Sequence, residues 1–126
     1  MNERMGIELV ELTPDRVVAT MHVEGNTQPY GLLHGGASVV LAETIGSVAA
    51  SINAGPGRFA VGTDINATHH RSVTQGTVTG VATPLHRGLT MGSYEVAIVD
   101  NGDRCICTAR IACALIERDP GPTRQA

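Results

Sequence analysis

Apolar and polar residues alternate from Val17 to Val23, with Val17, Ala19, Met21 and Val23 on one side and Val18, Thr20 and His22 on the other. A period of two is that of a β-strand with one buried face. Thr13-Pro14-Asp15 just before it is turn chemistry, and it joins this strand to a shorter one over Ile7 to Leu12. From Asn26 to Gly36 the alternation lapses, and Pro29 and Gly31 mark a loop. The one good helix then runs from about Gly35 to Asn53. It is stopped by Asn53-Ala54-Gly55-Pro56-Gly57, a run that cannot continue helical backbone. Strand patterning returns over Phe59 to Arg71, where Asn66 marks a bend. It continues over Thr77 to His86 after a turn at Val73-Thr74-Gln75-Gly76, and over Leu89 to Asp100 after Arg87-Gly88. Asn101-Gly102, the strongest short hairpin signal in the chain, leads into Cys105 to Ile116.

One long helix and about six strands, most in consecutive hairpins, predict an α+β domain. An antiparallel sheet buries one face, and this helix is the only object available to cover it. Ala37, Ala42, Gly46, Ala49 and Ala50 are small enough for a curved sheet to wrap the helix closely. At 126 residues the chain is read as a single domain, 1–126, whose end over 119–126 lacks any apolar period and reads as a flexible tail.

Composition narrows the picture. With 42% hydrophobic and 17% charged residues the chain is globular rather than disordered. Only 2% is aromatic, so Val, Ile, Leu, Ala and Met must build the core. A net charge of −3 argues against a nucleic-acid partner. No Lys is present, so every basic side chain besides histidine is an Arg. Leu32 to Ile52 is apolar, but Gly, Ser, His and Glu in its body make it a poor membrane span. Nothing at the amino terminus reads as a signal peptide, so a cytoplasmic protein is expected. Cys105, Cys107 and Cys113 form no CxxC pair and read as buried structural thiols of a reducing compartment, and no metal site is indicated.

Between Glu24 and Arg58 the only side chains with acid–base chemistry near neutrality are His34 and Glu43. Glu43 lies inside Val39-Val40-Leu41-Ala42-Glu43-Thr44-Ile45, in the helix expected to be sheathed by the sheet, with no Arg or Lys within a helical turn. A carboxylate so placed is costly to keep charged without a partner, and such groups concentrate at functional sites. A solvent-facing stripe is the plainer account of a lone Glu, yet this helix has no other charged residue to complete one. The face Glu43, Ser47, Ser51 suits the wall of a cleft, and Ser47 is the nearest local partner. Upstream, His34-Gly35-Gly36 stands at the helix start, where unpaired amides and the helix dipole can polarise a carbonyl. Gly35 and Glu43 are eight residues apart, which is roughly 12 Å along a helix axis. One helix cannot aim both at the same atom. Two copies packed antiparallel about a two-fold axis can, so cooperation between them requires at least a homodimer.

The run Gln28-Pro29-Tyr30-Gly31-Leu32-Leu33-His34-Gly35-Gly36, followed by Leu41-Ala42-Glu43-Thr44-Ile45-Gly46-Ser47, resembles the hotdog-fold acyl-CoA thioesterases. Within them it resembles the PaaI-like subgroup, with its 4-hydroxybenzoyl-CoA and 1,4-dihydroxy-2-naphthoyl-CoA thioesterases and the enterobactin-pathway proofreading enzyme. Asn66-Ala67-Thr68-His69-His70-Arg71 and Pro84-Leu85-His86-Arg87-Gly88 share the likeness, which extends from about Gly6 to Glu117. The resemblance implies that a long central helix is wrapped by a curved antiparallel sheet. It implies hydrolysis of an aryl- or hydroxyaryl-CoA, with Glu43 as nucleophile or general base and the Gly35 amide polarising the thioester. Gln28 and His34 would position that carbonyl, and Ser47 would orient the attacking water or the acyl group. His69, His70, Arg71, His86 and Arg87 would hold coenzyme A, which is part of the substrate, so no cofactor is implied. Of the two adjacent strand histidines, one is expected to face the core. Sites between subunits and a homotetramer of paired dimers are implied as well. The chain begins almost at its first strand, so the leading helix of many relatives is expected to be short or missing. Two other readings compete. A hotdog hydratase or dehydratase would use a His in another motif context than His34-Gly35-Gly36, and a non-catalytic acyl-CoA-binding module would need a partner.

Overall fold

A computed structural model describes residues 1–118, and the tail expected over 119–126 lies outside them. The elements in chain order are α1 (Asn2–Met5), β1 (Glu8–Thr13), β2 (Arg16–His22), α2 (Gly35–Ala54), β3 (Arg58–His69), β4 (Thr77–Arg87), β5 (Met91–Val99) and β6 (Cys105–Glu117). The six strands form one antiparallel sheet in the order β1-β2-β4-β5-β6-β3, and α2 packs against every one of them. This is the wrapped-helix arrangement that the periodicity and the resemblance both predict. The leading helix is a single turn, closed by Gly6 at φ 70°, a left-handed backbone that glycine adopts without strain.

The face of α2 turned to the sheet carries Leu41, Ala42, Ile45, Gly46, Ala49 and Ala50, all buried. Covering a Leu or Ile side chain fully is worth about 1.5–3 kcal/mol, so Leu41 and Ile45 anchor the helix. Gly46 permits the closest approach, because a β-carbon there would collide with Ile111 of β6. Aliphatic residues dominate the core as composition requires, with one exception. Tyr94 of β5 is fully enclosed, its hydroxyl donating to the Ala49 carbonyl at 3.4 Å, and burial raises its pKa.

Three local expectations are corrected. The irregularity in β3 falls between Gly62 and Asp64, where the pairing with β6 slips by one residue, and not at Asn66. The Asn101-Gly102 hairpin is wider than a two-residue turn. Asp100 N–H donates to the Arg104 carbonyl at 3.0 Å, and Asp103, not Gly102, takes the left-handed conformation at φ 61°. The Asp100 carboxylate explains the wider loop, since it accepts from the Gly102 and Arg104 amides at 2.9 Å each. Of the three thiols, Cys107 and Cys113 are buried but Cys105 is exposed. Cys107 already pairs with His69 over the first turn of α2, so Cys105 lies beyond the reach of the helix.

Candidate active site

The amino-terminal turn of α2 is built so that one amide alone is left open. His34 is the N-cap, in extended backbone at φ −69° and ψ 131°, and its Nδ1 accepts the Gly36 N–H at 2.8 Å. An accepting Nδ1 carries no proton, so the neutral ring holds its hydrogen on Nε2. The His34 carbonyl accepts from both Ala37 N–H at 2.9 Å and Ser38 N–H at 3.3 Å. Of the first four amides of the helix, only that of Gly35 has no acceptor among the described residues.

That amide borders an open cleft of about 370 Å³ whose walls include Gln28, Gly35, Ser38, His69, His70 and Arg71. Gln28 arrives from the loop, which is pinned by Gln28 N–H to the Leu32 carbonyl at 2.8 Å and Gly31 N–H to the Gln28 carbonyl at 2.9 Å. His69 closes β3 over the helix start, and a β-carbon on Gly35 would sit 3.0 Å from its Nε2. Glycine is needed there for the ring to lie so close. His70 Nε2 is 3.0 Å from Thr108 Oγ1. Both histidines are exposed, so the expectation that one faces the core is not met: that end of β3 overhangs the first residue of α2, where no side-chain layer can bury it. Arg71 is exposed and forms no ion pair among the described residues.

Glu43 occupies a different hollow, lined with Gly62, Thr63, Asp64, Ile65 and Ile111. A β-carbon on Gly62 would be 3.3 Å from Glu43 Oε2, so the carboxylate rests on the irregular stretch of β3. The expectation that the sheet sheathes Glu43 fails within one chain, where the side chain is exposed. Its neighbour β3 is the last strand of the sheet, and no described strand lies beyond it. Ser47, half-buried one turn on, engages Cys113 beneath it. Burial pushes the Cys113 thiol up, the hydrogen bond from Ser47 works against this, and the nearby Glu43 charge adds to the rise.

His86 and Arg87 stand elsewhere. Arg87 donates to the Pro14 carbonyl and pairs with Asp15, each at 3.0 Å, which ties the β4 end to the β1–β2 turn. The adjoining Gly88 carbonyl accepts from Asn53 at the carboxyl end of α2. The helix has 20 residues and so is about 30 Å long. One chain therefore brings Gln28, Gly35, His69, His70 and Arg71 together with His34 capping behind them, and holds Glu43, Ser47, His86 and Arg87 apart from them. Sequence reasoning did not single out Ser38 or Asp64, because a Ser inside a helix and an Asp in a strand carry no motif that reveals which cleft they line.

Comparison with known proteins identifies the family and the fold. A family model described as the thioesterase superfamily matches residues 30–107. The proofreading thioesterase EntH of Cronobacter turicensis is 48% identical over 115 residues, spanning 90% of this chain and 84% of that protein. Among solved structures, a thioesterase from Haemophilus influenzae superposes with a TM-score of 0.89 at 40% identity, over 92% of this chain and 82% of its own. A mutant thioesterase from Pseudomonas aeruginosa gives a TM-score of 0.88 at 34% identity, over 92% and 85%.

Proposed function

Because the chain belongs to the thioesterase superfamily and is a thioester hydrolase of the hotdog fold, we propose that it cleaves aryl- or hydroxyaryl-CoA with the Glu43 carboxylate, in sites shared between two copies. The observation that carries this reading is the lone open amide of Gly35 at the mouth of a cleft walled by Gln28, His69 and Arg71. A helix amino terminus stabilises negative charge, and the tetrahedral intermediate of thioester hydrolysis places charge on the former carbonyl oxygen. Gln28 lies where it can hold the thioester carbonyl, and His34 sets the turn that presents Gly35. Arg71 supplies positive charge for the phosphates of coenzyme A, and His69 and His70 add ring N–H donors beside it.

In this reading the catalytic carboxylate comes from the partner. An antiparallel pair of α2 helices sets Glu43 of one copy against Gly35 of the other, and it brings the His86 and Arg87 end of one chain toward the open cleft of its mate. The outer edge of β3, unpaired among the described residues, supports such pairing, since it is 12 residues long, with Val61 and Gly62 exposed beside Glu43. Two such dimers would give the homotetramer. Glu43 either attacks the carbonyl carbon to form a mixed anhydride or deprotonates the attacking water. Both routes expel the CoA thiolate and yield free acid. The three free cysteines suit a reducing compartment, and we place the enzyme in the cytoplasm.

The test is thiol release from a panel of aryl-, hydroxyaryl- and fatty acyl-CoA substrates, compared by kcat/KM. Aryl thioesters are expected to lead the panel. Glu43→Ala is expected to lower kcat by about 10²-fold or more while the assembly stays intact. Unchanged thiol release in that variant would remove Glu43 from the chemistry, and a preference for long fatty chains would overturn the substrate class.

A further inference from the structure

The open end of α2 itself offers a single backbone donor to the cleft that Gln28 also lines. Oxyanion sites in acyl transfer are built from converging donors, yet the Gly36 amide is spent on His34 Nδ1 and the Ala37 and Ser38 amides on the His34 carbonyl. Only the Gly35 N–H remains. A second group stands beside it. Ser38 is 2% exposed and lines the same cleft as Gly35 and Gln28, and its hydroxyl makes no hydrogen bond with any described residue. No fully enclosed side-chain nitrogen or oxygen among the described residues lacks a partner, so this hydroxyl reaches the cleft instead of being sealed in the core. The usual local outlet for a helical Ser, the carbonyl four residues back, is that of His34, which already accepts two amides.

Resting on the thioesterase reading above, we propose that the Ser38 hydroxyl is a further oxyanion donor, acting with the Gly35 amide and the Gln28 side chain on the thioester oxygen. Residues three apart share a helix face, and helical side chains lean toward the amino terminus, which carries the Ser38 oxygen over the turn of Gly35. As the nucleophile bonds to the carbonyl carbon, the π electrons pass to oxygen, and the new charge accepts hydrogen bonds from Gly35 N–H and Ser38 O–H. No proton is transferred to it. The pair returns to re-form the carbonyl as the carbon–sulfur bond breaks and the thiolate departs.

A donor that acts mainly in the transition state shows itself in kcat and not in KM. With the acyl-CoA that the wild type hydrolyses best, Ser38→Ala is expected to lose about 10- to 10³-fold in kcat, with KM within about twofold and an unchanged melting temperature. Ser38→Cys, nearly isosteric and a weak donor, should match it, and it serves if the alanine variant does not fold. Ser38→Thr, which keeps the hydroxyl, should retain most of the rate. A kcat within about twofold of wild type in the alanine or cysteine variant, or a raised KM at full kcat, overturns the assignment of Ser38 alone. A wild type that frees no thiol from any acyl-CoA overturns the thioesterase reading with it.

Discussion

Gly35 is the first helical residue, the one position in a helix where proline costs little because the amide there is not needed for the helix ladder. The extended backbone of His34 before it, at ψ 131°, is also what a following proline demands. Gly35→Pro therefore removes the amide hydrogen and leaves α2 standing, while its ring meets His69 as any β-carbon there would. Its kcat for thiol release should fall by about 10²–10³-fold with little change in melting temperature. Gly35→Ala makes the same contact, its β-carbon 3.0 Å from His69 Nε2, but keeps the amide, and so is the control for the lost hydrogen. At this scale the sequence was legible where chemistry is local. His34-Gly35-Gly36 announced a helix start, and the structure adds the His34 Nδ1 bond that silences Gly36. The exposure of Glu43 was not legible, because it depends on β3 being the last strand, which no residue near Glu43 encodes.

Elements were read well where one period dominated. The extent of α2 followed from its stop at Gly55, now seen at φ 79°, and each of the six strands falls close to its alternating run. The β5–β6 connection shows why turns are harder. Asn101-Gly102 favours a two-residue turn, but the Asp100 carboxylate captures two amides and the Arg104 guanidinium at 3.1 Å, and the loop widens around it. Those bonds, led by that from the Arg104 amide, hold the Asp100 pKa below its ordinary 3.8. A lowered folded-state pKa means that the carboxylate stabilises the hairpin fully above that ordinary value, and that the benefit drains away as pH falls through the folded-state pKa. Asp100→Asn imitates the protonated side chain. Its melting temperature should lie below that of the wild type at neutral pH, and the two should converge as thermal melts are repeated at pH below 3.8.

On the scale of the whole molecule, the open amide and the carboxylate sit in separate hollows along one helix, and the proposed chemistry needs a second copy to unite them. This division can be read by mixing. A chain bearing Glu43→Ala and a chain bearing Gly35→Pro are each expected to be inert as pure assemblies. Dissociated and reassembled at equal amounts, half of the dimers pair unlike chains, and each of those regains one of its two sites. Thiol release should return to about a quarter of the wild-type rate. No recovery despite demonstrated exchange of chains would mean that both groups act within one polypeptide. The fold itself was legible because its pattern repeats over many residues, whereas the proposed pairing has only indirect marks, such as the β3 edge, unpaired among the described residues, beside an exposed acid. That edge has a consequence for dosage. With the site shared as proposed, a polypeptide silent alone would turn over substrate only after meeting its like, so at low abundance output would climb with the square of its concentration, and scarcity itself would become an off state.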